Sequence, residues 1–323
     1  MRIVRYLRMA VAALALAGLA AAPARALDNV VVGTVGSASA NLWPVIIGIE
    51  KGFFVAHGVK VDLVYVQSSA QVIQQLTSGS LNITISTGLV DPIRAIEKGA
   101  AIAIVRLESQ SPPYALVAKP EIRSLKDLKS KVISLGGPKD ITRIFVERML
   151  APSGIRPGEF DMVFAGATAA RAQALLGGAV DAAILLPPFN FQATARGFNE
   201  LGLTIDYTPE LPFSGTVVNL AWANAHRELV ERILAAHAQA IAWFEDDKNR
   251  AEAIKMLVAV SGLKNDEVDK AYEFYRKGHY FEPTGKVSRK RLEALVAALV
   301  SLGDIPHIDV ERLIMPGVTQ MAD

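Results

Sequence analysis

Leu76-Thr77-Ser78-Gly79-Ser80-Leu81-Asn82-Ile83 and Leu175-Leu176-Gly177-Gly178-Ala179-Val180-Asp181-Ala182 share one grammar. Each is the end of a helix, a glycine that can close it in the left-handed region, and the first residues of an apolar strand. Any helix-to-strand junction can be written this way, so one copy carries little. Two copies, at corresponding points of two strand–helix runs, argue for two similar α/β units.

Outward from the first copy, Val30–Val35 reads as a buried strand. Asn41 can cap the helix after it, with Pro44 in the first turn. That helix carries Trp43, Ile46, Ile47 and Ile49 and ends near Gly52. Val59–Val66 alternates as a strand, Ala70–Ser78 is helical, and Leu81–Ser86 is a strand. Val90–Lys98 is a helix ended by Gly99, and Ile102–Leu107 is a strand. Strands separated by helices of about ten residues imply βαβ units and a parallel sheet. The order restarts around the second copy. Tyr114–Ala118 is extended, Ser124–Asp127 is a capping box before a short helix, and Val132–Leu135 is a strand. Asp140–Ala151 is a helix, Met162–Ala165 a strand, Ala169–Leu176 a helix, and Ala182–Leu186 a strand stopped by Pro187-Pro188.

After the strand-like Thr216–Ala221 the pattern is nearly all helical. Val230, Ile233, Leu234, His237, Ile241 and Phe244 form one stripe, Ala253, Ile254, Leu257 and Val258 a second, and Leu292, Leu295, Val296 and Leu299 a third. Helices in succession need a surface already built, so this last part is expected to return to the first unit and cover it.

The amino end predicts a location. Arg2, Arg5 and Arg8 precede a short apolar run, Met9–Ala22, and Ala24-Arg25-Ala26 has the small-x-small pattern of a cleavage site. The run is short of the roughly 20 apolar residues that span a bilayer. Residues 1–26 therefore read as a signal peptide, with Leu27 as the new terminus and the periplasm as the destination. The chain has 34 basic and 32 acidic side chains. The basic head takes Arg2, Arg5, Arg8 and Arg25 with it and no acid, so the rest is slightly acidic. That is not the footprint of a nucleic-acid binder. With no Cys, disulfides, thiolate metal sites and Cys nucleophiles are excluded. The five His residues are scattered, and there is no H-E-x-x-H, Walker-type loop or G-x-S-x-G. Neither an enzyme, a metal nor a cofactor is expected.

Gly48-Ile49-Glu50-Lys51-Gly52-Phe53-Phe54-Val55-Ala56-His57-Gly58-Val59, followed in order by Ser78–Ile85, Leu125–Val132 and Leu175–Ala182, resembles bacterial ABC-transporter periplasmic substrate-binding proteins. The branch is the nitrate/sulfonate/taurine and thiamine-precursor, or NMT1-like, family. The resemblance implies a type 2 periplasmic-binding-protein fold: two α/β lobes, hinge crossovers and a ligand cleft between the lobes. Lobe I would be 27–110 with 215–323 and lobe II 111–214, with crossovers at Pro113–Ala118 and Thr216–Ala221. It further implies a monomer that closes on a small-molecule solute and presents it to an ABC permease and ATPase complex in the inner membrane. A receptor that reports to a membrane sensor is the alternative.

In open α/β sheets, ligands lie beyond the carboxyl ends of the strands, where helix N-termini favour anions. That rule selects Ser37, Ser39 and Asn41 after the first strand, and Ser86, Thr87 and Gly88 after the third. It also selects Glu108 after the fourth, Gly137, Lys139 and Thr142 in the corresponding loop of lobe II, and Phe189 and Asn190 after Pro187-Pro188. Trp43, Tyr114, Phe213 and Thr216 lie at expected cleft edges. Asp140 is expected to cap its helix. Relatives that bind sulfonate or nitrate carry small hydroxyl residues where this chain has Pro138 and Lys139, and often an acid where it has Pro187. These departures favour a small organic anion with an apolar or aromatic body, an aromatic carboxylate rather than nitrate, with a sulfonate, nitrate or a thiamine-precursor pyrimidine as the alternative ligand.

Overall fold

The computed structural model describes residues 26–37 and 39–322. Residues 1–25, which carry most of the signal-peptide reading, Ala38 and Asp323 lie outside the described residues. Two five-stranded sheets organise the chain. The first takes β1 (Asp28–Val35), β2 (Val59–Val66), β3 (Ile83–Gly88) and β4 (Ile102–Ser109). The second takes β5 (Ala115–Ala118), β6 (Val132–Leu135), β7 (Asp161–Phe164), β8 (Ala182–Leu185) and β9 (Asn199–Leu203). β10 (Ser214–Asn219) then returns to the first. The orders are β2-β1-β3-β10-β4 and β7-β6-β8-β5-β9.

β1, β2 and β3, like β6, β7 and β8, pair parallel, as helical crossovers require. β10 and β5 instead run antiparallel to both of their neighbours. The sheets are therefore mixed, not parallel throughout. Each of these strands enters from the other lobe and has no crossover helix of its own to set its direction. β9 was not expected. It is an edge strand, only partly buried, with a register shift against β5, so it shows no apolar alternation.

The two glycine-ended helices are alike. Gly79 closes Ser69–Ser78 at φ 79°, and Gly178 follows Thr168–Leu176 at φ 77°. A side chain would be strained at either. The chain passes between sheets at Gln110–Tyr114 and again at Thr204–Phe213. We take lobe I as 27–110 with 215–323 and lobe II as 111–214.

The carboxyl-terminal helices do cover lobe I. Arg227–Glu245 buries Val230, Ile233, His237, Ile241 and Phe244 in one core with Trp43, Ile47 and Phe54. Arg289–Ser301 buries Leu292, Leu295, Val296 and Leu299. A second apolar core is continuous across the lobes, from Leu76 and Leu299 of lobe I to Leu116, Ile141 and Phe145 of lobe II. Each such side chain contributes about 1.5–3 kcal/mol when removed from water, so the lobes are held in contact by packing.

Candidate functional site: the cleft between the lobes

A narrow cleft, with a cavity of about 50 Å³, lies where the carboxyl ends of β1 and β3 face those of β6 and β8. The lobes meet at its rims. Ala40 N donates to Pro187 O at 2.9 Å. Gly166 backs onto the Gln67 carbonyl so closely that a Cβ would lie 2.6 Å from that oxygen. On another side Arg94, in the helix Val90–Glu97, donates to the Lys139 carbonyl of lobe II. The same guanidinium pairs with Asp304 at 2.5 Å, and Lys139 Nζ lies 4.0 Å from that carboxylate. This clasp joins the lobes outside the cleft.

Lobe II supplies the charge. Arg171, on the first turn of the helix Thr168–Leu176, is buried and lines the cleft. Its Nε donates to Ile184 O at 2.8 Å, its Nη2 to Thr168 Oγ1 at 2.7 Å, and its Nη1 to Gly166 O. It makes no ion pair with a carboxylate of the described residues. A guanidinium has five N–H donors, so two remain beyond these bonds. The helix has no side-chain cap, so no side chain answers its first N–H groups at the positive end of its dipole. Tyr114 lies beneath the guanidinium, 5.7 Å from its carbon to the ring centre. Phe213 meets Tyr114 edge-on at 5.1 Å. These rings and Leu186 make the apolar wall. Asp140 caps Ile141–Leu150, accepting from Thr142 N at 2.9 Å, and turns part of its surface to the cleft.

Lobe I supplies hydroxyls. Ser39, Asn41, Ser68, Ser69 and Ser86 line its side, with Gly88. Asn41 does not cap its helix. Its Nδ2 donates instead to Ser86 Oγ at 3.0 Å, and its Oδ1 is buried without a partner. Ser86 is held at φ 58°, unusual for a residue with a Cβ.

The other residues chosen from sequence lie elsewhere, each for a local reason. Trp43 is in the lobe I core. Ser37 is exposed and outside the cleft lining. Thr87 is buried and bonded to the Thr84 hydroxyl. Gly137 yields its place to Gly136, whose N–H donates to Thr142 Oγ1 at 2.9 Å. Thr142 spends its own proton on Asp140, at 2.5 Å. Lys139 is mostly exposed and turned to Asp304. Phe189 packs on the small core of lobe II around Ala115 and Leu175. Asn190 is buried and reaches Glu200 at 3.4 Å. Glu108 and Thr216 are bonded to each other inside lobe I. Arg171, Ser68, Ser69 and Thr168 are the cleft residues with polar side chains that sequence reasoning missed. A signal for Arg171 existed: it is the one charged residue between Asp161 and Asp181.

Two acids stand behind the lobe I wall, Glu108 buried and Asp91 half-buried. Burial pushes Asp91 up to about 6. Its hydrogen bond from Ser69 pulls the other way, and Asp140 across the cleft adds to the rise. Burial likewise pushes Glu108 up to about 7, against bonds from Thr216 and Ser86 and the charge of Arg106. Among the described residues no cluster of His, Asp or Glu is arranged to hold a metal.

The profile of the family described as NMT1/THI5 like matches residues 39–251, more than half of the chain, and the chain belongs to that family. No curated protein matches it significantly in sequence. Among solved structures, the alkanesulfonate-binding protein SsuA of Xanthomonas axonopodis pv. citri, bound to MOPS, superposes with a TM-score of 0.73 at 19% identity. The match covers 93% of this chain and 100% of that one. The nitrate-binding protein NrtA of Synechocystis PCC 6803 gives 0.64 at 15%, over 76% and 70%. The desulfurization enzyme DSZB gives 0.65 at 12%, over 90% and 97%. The fold is thus that of the type 2 periplasmic-binding proteins, two α/β lobes about a cleft.

Proposed function

We propose that the chain is a periplasmic solute receptor. It binds a small organic anion by lobe closure and delivers it to an ABC permease and ATPase in the inner membrane. The observation that carries the reading is Arg171: a buried cation, free of any acidic partner among the described residues, at an uncapped helix N-terminus in the cleft. An anion completes that arrangement, through charge-assisted hydrogen bonds in a site of low dielectric. The Tyr114–Phe213 wall favours a ligand with an aromatic body, so the preferred ligand is an aromatic carboxylate.

The likeness to the alkanesulfonate-binding SsuA favours a second ligand class, a sulfonate, for the same cation. A receptor is preferred to an enzyme because the shifted groups Glu108 and His237 lie outside the cleft lining, and Tyr114, which does line it, is held protonated by burial. Calorimetry with benzoate, an alkanesulfonate, nitrate and a hydroxymethylpyrimidine tests the reading. Binding of benzoate, weakened about thirtyfold in Arg171→Met, is expected. Tight pyrimidine binding with no response to carboxylates or sulfonates overturns it.

A further inference from the structure

We propose that lobe I carries a second ligand site, separate from the cleft: a pocket at the outer edge of its sheet that takes a small aliphatic carboxylate on Arg106. The inference does not depend on which ligand the cleft holds.

β4 is an end strand of its sheet, and two passing segments are tied to it. Ile104 bridges to Ile314, and Ser109 to Phe281. Thr319 donates its hydroxyl to Ile104 O at 3.0 Å, and Glu282 N donates to Glu108 O at 2.8 Å. Between these ties lie Val105 and Arg106, and against them a cavity of about 190 Å³. The helix Arg227–Glu245, the turn at Thr284 and Gly285, and the segment of Val318 and Gln320 complete its walls. It shares no lining residue with the cleft.

Arg106 is the cation of this pocket, and it is 2% exposed. Its Nη2 donates to Glu282 O at 2.9 Å, and its Nε is buried with no partner. A guanidinium has five N–H donors, so most of its capacity is unspent, whereas Arg171 makes three bonds. The nearest carboxylates are engaged elsewhere. Glu282 Oε1 accepts from Thr284 N at 3.1 Å and from the Thr284 hydroxyl at 2.7 Å, and Oε2 accepts from Gly285 N. Glu108 accepts from Thr216. Both act on Arg106 through space, without a bond to it. Gly285 sits over the guanidinium at φ 78°, and a Cβ there would collide with Nη1. The turn thus meets the cation with backbone alone.

A buried charge with so few partners is costly, and charge-assisted hydrogen bonds from a carboxylate would offset that cost. The remaining walls choose the class of anion. Val105, Leu234, Ala235, Ala238 and Val318 offer apolar surface, which suits a hydrocarbon tail. Glu231 also lines the pocket, and with Glu282 it opposes a doubly charged ion such as phosphate. A dry cavity of about 150 Å³ holds a benzene, so this one has room for a carboxylate of about six carbons.

The experiment follows the Arg106 Nε–H resonance of the whole protein during titration with 4-methylpentanoate. A saturable shift is expected in the wild type and equally in Arg171→Met, whose cleft has lost its cation. Ala238→Phe puts a ring into the cavity without changing its charge, and there the shift should not saturate. The thermal midpoint should rise with 4-methylpentanoate in the wild type and in Arg171→Met, but not in Arg106→Met. A resonance that does not move in the wild type overturns the proposal, however the variants fold. So does a shift that disappears in Arg171→Met, which would place the ligand in the cleft, or a response to inorganic phosphate with none to 4-methylpentanoate.

Discussion

The two walls of the cleft divide the work of recognition. Lobe II brings a fixed cation, a helix N-terminus and two aromatic rings. Lobe I brings neutral hydroxyls and one amide, and sets its acids, Asp91 and Glu108, behind them. Around the cleft the carboxyls of lobe I are raised by burial. Lobe II's perturbed carboxyls, such as Asp181 beside Lys119 at the amino end of β8 and away from the cleft, move the other way. An unpaired charge is costly to bury, so one lobe keeps its cation for the ligand and the other neutralises itself. Charge should therefore fix the ligand to one lobe, while the other grades the fit.

That division breaks if the walls prove equivalent. Arg171→Met should weaken benzoate binding by about 2 kcal/mol, roughly thirtyfold, whereas Lys139→Met should leave it unchanged, both by calorimetry. Stability should report these acids of lobe I. Their carboxyls keep protons to about 6 and 7 in the folded chain, and release them near ordinary values when unfolded. The folded state thus holds more protons between those limits, and its stability falls as pH rises through them. Thermal unfolding of the ligand-free wild type should drop by about 2–5 °C from pH 5 to 8, and by less in Glu108→Gln.

Asp304→Asn loosens the clasp with Arg94 and Lys139. By lowering the closed population it should weaken binding about fivefold, with a larger radius of gyration by scattering. Thr142→Ala should cost about 1 kcal/mol of stability in denaturant titration, without a change in affinity, because its hydroxyl serves the loop. Ser39→Ala should be the mildest, about threefold in affinity. A loss as large as that of Arg171→Met would sink the division of labour.

The lobes were legible because glycine-ended helices and apolar strands are local signals. Strand direction was not, since β5 and β10 take theirs from the lobe they enter. The location rule found the right loops and, in Ser39, Asn41 and Ser86, some of the side chains that line the cleft, but it did not separate these from neighbours that face inward. Ser86 and Thr87 are neighbours of like chemistry, yet one lines the cleft and the other bonds to Thr84. That choice is made by a left-handed backbone at Ser86, which a serine does not announce. Arg171 escaped because attention fell on loops, and an arginine within a helix ordinarily reads as solvated.

Gly166 meets the Gln67 carbonyl backbone to backbone, at φ 70°. Hydrogen alone fits there, so the jaws shut on this edge with nothing to spare. A single methyl at that point would act as a doorstop, wedging the two halves ajar without touching any atom meant for the guest.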